Sequence, residues 1–470
     1  MTSESFMKPP FALLAACLLL SACAAPSAPP QSGLQPPPEW QSAASESVPQ
    51  NLPAWWQTFG SPELDRLVEQ ARVSSYEVGA AMARVRQAQA DAVIAGGPLL
   101  PEISAGLNAN REQLLRGDGY SQLNSSSSQR ATHYFDTSLS ASYEVDFWGG
   151  NTAARDSARQ SLRASEFDRA TVELTLLGKV ADSYMQVLAL QEQGRIAALN
   201  LANAENVQKL VQTRYDAGSA TALELAQQKS LVATQQRQLP LYQQQAREAL
   251  ITLATLLGQP VQNLQLGAQG FEQIRWPAIN AGLPSELLSR RPDIANAEAK
   301  LAAAQADVRV ARAALLPKLN LTATLGSGAD RFPEILRNPF GTLAAGLTAP
   351  IFNNGRLKAE RDKATAIQDE LLQTYRGAII AGFGDVEKAL NTVDGVDQQR
   401  RWQDEELQQA RKAFQIAESR YQAGAEDLLT VLETQRTLYQ AQDLEVQLRL
   451  QRVLASIALY KALGGGWQVM

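Results

Sequence analysis

Two periods of hydrophobic and polar residues alternate along the chain, and the alternation happens twice. Pro62 to Ala95 has helical spacing, opened by Ser61-Pro62-Glu63 and stopped by Gly96-Gly97-Pro98. From Ile103 the period changes: Ile103, Ala105, Leu107 and Ala109 are apolar while Ser104, Gly106, Asn108 and Asn110 are small or polar, the alternation of a strand. A long surface loop is expected over Arg111 to His133, with Gly117-Asp118-Gly119 and a serine run. A second alternating run spans Phe135 to Phe147, with Phe135, Leu139, Ala141, Tyr143 and Val145 on one face. Helical spacing then returns from about Thr152 to Tyr215, where Phe167, Ala170, Leu174, Leu177, Ala181, Tyr184 and Leu188 form a coiled-coil seam. At ~1.5 Å per residue this helix reaches roughly 95 Å, far more than a globular domain needs. After a tip at Gly218 the chain returns as helix to Leu257, with a bend expected at Pro240.

The second half replays the first. Helix from Ser285 to Leu315 leads to Leu319, Leu321, Ala323 and Leu325 alternating with polar residues, then a loop over Ser327 to Pro339. A fourth alternating run follows, with Leu343, Ala345, Leu347, Ala349 and Ile351 on one face, then a proline-free helix to Tyr421, a tip at Gly424 and a return helix. The tips read R-Y-D-A-G from Arg214 and R-Y-Q-A-G from Arg420, an offset of 206 residues (420 minus 214), and Phe352-Asn353-Asn354-Gly355 matches Phe147-Trp148-Gly149-Gly150 at 205. One unit is written twice. The boundaries are a signal peptide at 1–22, a Pro-rich tether at 23–60, a first repeat at 61–258, a connector at 259–284 and a second repeat at 285–470.

Four strands of about ten residues, apolar on one face and polar on the other, have the length and pattern of a transmembrane barrel. Four cannot close one, because an open edge in lipid leaves backbone groups unpaired. Three copies give twelve strands, continued by the long helices as a helical cylinder; two give eight, too narrow a bore to continue as a tunnel. The fold class expected is a mixed α/β membrane protein, a trimeric 12-stranded β-barrel continued by a long α-helical barrel, with internal twofold repeat.

The N-terminus adds an address. Lys8 precedes an apolar run and then L-S-A-C, Leu20 to Cys23. This ending resembles a bacterial lipobox, which implies cleavage before Cys23, acyl and diacylglycerol groups on that cysteine, and, with Ala24 next, the outer membrane. Cys17 is the other cysteine and cleavage removes it, so no disulfide is expected within the mature chain. The net charge of -5 gives no general pull toward nucleic acid. His133 is the single histidine, and no cysteine and histidine set, phosphate-cradling loop or nucleophile elbow points to a metal, a cofactor or an enzyme.

The run Leu283 to Leu321, containing R-R-P-D-I and A-L-L-P-K-L, resembles the signature of the outer membrane efflux lipoproteins of the TolC family, NodT-type branch. The resemblance implies a trimeric channel-tunnel, lipid-anchored at the outer membrane with its helical barrel in the periplasm. It further implies a periplasmic adaptor and an inner-membrane pump of the RND type as partners, with this chain the passive exit duct for small molecules. By match to the family, Leu429, Glu433 and Arg436 fall at the periplasmic gate, spaced to share one helix face. Tyr421 and Glu224 map to its tip interlock, and Gly218 and Gly424 to the tips that receive the adaptor. Some members carry an arginine where this chain has Glu426, so that part of the interlock does not carry over. A protein-secretion duct and a pore-less, lipid-anchored coiled-coil protein are the alternatives that the residues leave open.

Overall fold

The computed structural model describes residues 31–41, 54–113, 115, 131–277, 281–465 and 467. Met1–Gly33 forms one unit and Leu34–Met470 another, to which everything below refers. Cys17, Cys23, the 117–119 glycine turn and the serine run lie outside the described residues.

Helix lengths repeat the sequence. Helices α1 (Pro62–Ser74) and α2 (Tyr76–Gly96) precede strands β1 (Glu102–Gln113) and β2 (Ala131–Val145). Then come α3 (Gly150–Asp216) and α4 (Ala222–Leu256). The second unit has α5 (Pro284–Arg290), α6 (Pro292–Ala313), β3 (Lys318–Ala329), β4 (Pro339–Thr348), α7 (Arg356–Gln422) and α8 (Leu428–Ala462). Both long helices have 67 residues and both return helices 35, at an offset of 206 (356 minus 150, 428 minus 222). Gly149 and Gly355, Gly218 and Gly424, and Gly258 and Gly464 all have positive φ at that same offset. Gly355 therefore corresponds to Gly149, not to Gly150 as the 205-residue match has it. The backbone conformation, which L side chains rarely adopt, sets the alignment where the flanking side chains differ.

Two expected helices are each broken once. Ser75 leaves the helix with ψ 125°, dividing α1 from α2, and Arg291, with ψ 121°, divides α5 from α6. The second break has a local cause, since the residue before a proline is pushed out of helical conformation and Pro292 follows. Pro240 sits inside α4 without ending it.

The strands form one antiparallel sheet in the order β1-β2-β3-β4. Its register carries the apolar face across all four. Ala105 lies opposite Leu139 and Leu139 opposite Leu325, while Ala141 meets Ala323, which in turn meets Leu343. On the other face Ser140 meets Thr324, their hydroxyls 3.1 Å apart, and Asn108 donates to Asp136 at 2.9 Å. Leu107, Leu325, Leu343 and Leu347 are 67–84% exposed in the single chain. An exposed apolar face of this kind marks a surface built to meet lipid. Strand pairing reaches further into the first loop than the pattern predicts. Arg111 pairs with His133, so the histidine expected in a loop is a strand residue.

Among the described residues, packing below the sheet has three centres. One gathers Trp55, Phe59, Leu64, Tyr184, Leu253 and Phe271, so the folded body begins inside the expected tether of 23–60. A second joins the lower halves of α3 and α4 to α7 and α8 through Val211, Leu225, Phe414 and Val431. The third, around Ile294, Ile379 and Phe383, takes up Leu34 and Trp40 from the Pro-rich segment. Trp40 donates through Nε1 to Gly282 O at 2.8 Å and meets Phe383 edge-on. Residues 34–41 are held on the body by these contacts.

Candidate functional site

The tips are built from the helix ends upward. At the first, Ser219 N donates to Arg214 O at 2.8 Å and Gly218 N to Tyr215 O at 2.9 Å; at the second, Ala425 N donates to Arg420 O at 2.8 Å and Gly424 N to Tyr421 O at 3.0 Å. Both are Schellman turns, which need a left-handed residue. Gly218 has φ +72° and Gly424 φ +76°. A Cβ on Gly218 would touch nothing within 4 Å, so its backbone alone requires glycine and it leaves an open surface.

The return helices start on side-chain caps. Thr221 Oγ1 accepts from Glu224 N at 3.2 Å, and the Glu224 carboxylate accepts from Thr221 N at 2.6 Å and from its hydroxyl at 2.9 Å. This is a reciprocal capping box. Asp427 caps α8 by accepting from Thr430 N at 2.9 Å, and the hydrogen bonds from Thr430 hold its carboxyl below the ordinary range.

One arginine joins the two tips. The Arg214 guanidinium lies over the Tyr421 ring, 4.2 Å from its centroid, and its NH2 group donates to Tyr421 O at 2.5 Å and Gln422 O at 3.4 Å. A cation on the last carbonyls of a helix satisfies orphan acceptors and complements the helix dipole. Tyr421 is buried, and burial raises its hydroxyl above the ordinary pKa, an effect Arg214 opposes and the Glu224 charge reinforces. The structure thus gathers Tyr421, Glu224 and Arg214 at one place, with Glu224 engaged by Thr221 of its own helix. Arg214 was visible only as part of the repeated tip. Its counterpart Arg420 stays local, paired with Glu426 at 3.2 Å. Glu426 therefore has a partner in its own tip.

Leu429, Glu433 and Arg436 share one exposed face of α8 just above the second tip, while Val431, Leu432 and Gln435 on the opposite face are buried. Leu429 is 54% exposed. An apolar side chain, a carboxylate and a guanidinium in that order leave a single chain with an unpartnered face, suited to meeting its own copies around an axis.

The R-R-P-D-I run acts at the other end of α8. Arg291 donates to Asp293 Oδ1 at 3.0 Å and Oδ2 at 2.7 Å, to Asp385 Oδ2 at 3.0 Å and to Ala462 O at 3.3 Å. One buried guanidinium ties the start of α6 to α7 and to the end of α8. Burial works against its charge, but the two carboxylates hold its pKa above the ordinary value.

Comparison with known proteins agrees with this construction. The outer membrane efflux protein family matches residues 67–259 and 283–465. The pyoverdine export outer membrane protein OpmQ of Pseudomonas aeruginosa is 64% identical, over 97% of this chain and 96% of its own. OpmQ of Pseudomonas putida is 60% identical, over 97% of each. Among solved structures, the outer-membrane channel OprN superposes with a TM-score of 0.88 at 26% identity, covering 94% of this chain and 99% of its own. The four strands are one third of a twelve-stranded barrel that three chains close in the outer membrane, and the long helices continue it as a periplasmic tunnel. The chain belongs to the outer membrane efflux protein family and is the outer membrane channel of a tripartite efflux system.

Proposed function

We propose that this chain is the exit duct for pyoverdine, anchored through an acylated Cys23 and joined through a periplasmic adaptor to an inner-membrane pump of the RND type. The observation that carries the cargo is identity of 64% and 60%, along nearly the whole chain, to two proteins named for pyoverdine export. Two relatives named as toluene efflux pump outer membrane proteins are 29% and 28% identical.

Leu429, Glu433 and Arg436 form the gate in this reading. Three copies of Glu433 brought to one axis repel one another, so closure rests on surrounding contacts and yields when those are pulled apart. Arg214 and Tyr421 hold the two tips together beside Glu224, and the tips at Gly218 and Gly424 receive the adaptor.

A Pseudomonas strain deleted for its own OpmQ and complemented with this chain tests the proposal. Restored pyoverdine in the medium is expected, and a Cys23→Ser chain should restore less. Pyoverdine left at the level of the deleted strain, with the channel present in the outer membrane, would refute the cargo.

A further inference from the structure

Above the gate face, α8 is joined to the first hairpin by one carboxylate. Asp443 Oδ1 accepts from Gln193 Nε2 of α3 at 2.6 Å and from the Tyr242 hydroxyl of α4 at 2.8 Å, while Oδ2 accepts from Gln447 at 2.7 Å. Gln193 and Tyr242 come from both helices of the first hairpin and meet on a single residue of the second. Hydrogen bonds to an ionised acceptor are about twice as strong as neutral ones. Burial and the Asp443 carboxylate raise the Tyr242 hydroxyl above its ordinary pKa, keeping it a donor.

The position matters as much as the bonds. Asp443 lies seven residues above Arg436, on the same helix face, and both line one cavity of about 420 Å³ between α3, α4 and α8. The cavity wall mixes polar residues, Asn200, Gln235 and Gln238 among them, with the apolar Ile196 and Leu231. Below it Arg214 ties the second hairpin to the first at the tips, and beside it the Tyr439 hydroxyl donates to Asn200 O at 2.9 Å. Leu429, Glu433 and Arg436 therefore sit on the exposed face of a length of α8 whose polar links to the first hairpin lie toward its two ends, while its opposite face packs through Val431, Leu432 and Leu438. Asp443 uses three acceptor positions of about four.

From this geometry we infer that Asp443, with Gln193 and Tyr242, is the upper clamp of the gate helix: a positioning residue whose link to the first hairpin must loosen for the gate-bearing stretch of α8 to move outward. The inference rests on the gate reading given above.

Single-channel recording of the purified trimer in planar bilayers tests the clamp, with Asp443→Asn, Tyr242→Phe, their double substitution and Glu433→Ala compared. Asp443→Asn removes the charge but keeps the shape, and Tyr242→Phe removes only a hydroxyl. Each is expected to raise open probability by roughly tenfold, the worth of one charge-assisted hydrogen bond, and the double substitution by no more than Asp443→Asn alone. Additive effects in the double substitution would show that the two residues act separately and overturn the clamp. If Glu433→Ala opens the channel while Asp443→Asn and Tyr242→Phe leave it unchanged, the clamp is wrong and the gate reading survives. If none of the three changes conductance, both fall.

Discussion

Gly258 and Gly464 make the same contact 206 residues apart. Each ends a return helix with positive φ, and each is set against the carbonyl of the last residue of a short helix, Ser74 O for Gly258 and Arg290 O for Gly464. A Cβ would come within 2.6 Å of Ser74 O, and at Gly464 it would overlap Arg290 O outright. Backbone cannot swing away as a side chain can.

Gly258→Ala and Gly464→Ala are therefore expected to destabilise the folded chain by about 2–4 kcal/mol each, strain and clash combined. Gly218→Ala, with the same backbone conformation and open space around it, is expected to cost only about 1 kcal/mol. Denaturant unfolding followed by helical circular dichroism measures all three.

A pH effect is expected where α3 passes α8. The Lys461 stem crosses Gly178, whose missing side chain makes room for it, and the lysine charge acts on Asp182 one turn further along α3. Burial pushes the Asp182 carboxyl up to about 6, against the lowering influence of Lys461. Glu248 of α4 also borders the cavity beside it. Because the folded-state value lies above the ordinary 3.8, the folded chain binds this proton more tightly. Its contribution is most favourable below about pH 4 and declines as pH rises through 6, by up to about 3 kcal/mol. Asp182→Asn should flatten that part of the stability profile between pH 4 and 7. Lys461→Met should steepen it.

The two faces of the sheet predict opposite tolerances at adjacent residues. Leu343 is 84% exposed on the apolar face, and Thr342 pairs with Thr324 on the polar one. Arginine at Leu343 is expected to cost about 2–4 kcal/mol if that position lies at the bilayer midplane, whereas arginine at Thr342 faces water in the lumen. Yield of heat-resistant trimer from outer membranes should fall for Leu343→Arg and hold for Thr342→Arg.

Arg214→Ala should loosen the second tip more than Arg420→Ala, because Arg214 reaches across to the other hairpin whereas Arg420 pairs within its own tip. Loss of its hydrogen bonds and cation contact is worth about 1–3 kcal/mol. Hydrogen exchange at Tyr421 to Leu428 should speed up accordingly, by about one to two orders of magnitude for Arg214→Ala.

Much of this was legible because the chain repeats itself. Alternation at Ile103, Leu139, Leu321 and Leu343 marked all four strands, since one face meets lipid and the other water. The 206-residue offset of the tips located both hairpins. What stayed hidden lay where no pattern is imposed. Beyond Asn110 both faces of β1 carry polar residues, so its continuation to Gln113, and His133 opposite it, looked like loop. Ser75 breaks a helix between residues that suit a helix. Trp40 docks on Gly282 and Phe383, more than 200 residues away, and Asp443 meets Gln193 and Tyr242 at comparable distance. Contacts of that kind need the fold before they can be seen. Leu429, Glu433 and Arg436 were singled out by a family match, and the contacts of Asp443 only by the assembled helices.

The most direct test weighs the particle. Native mass spectrometry of the chain extracted from outer membranes in mild detergent should give a species of three chains, since four strands from each are needed to close twelve. A single chain or a pair, released from cells without detergent, would contradict the account.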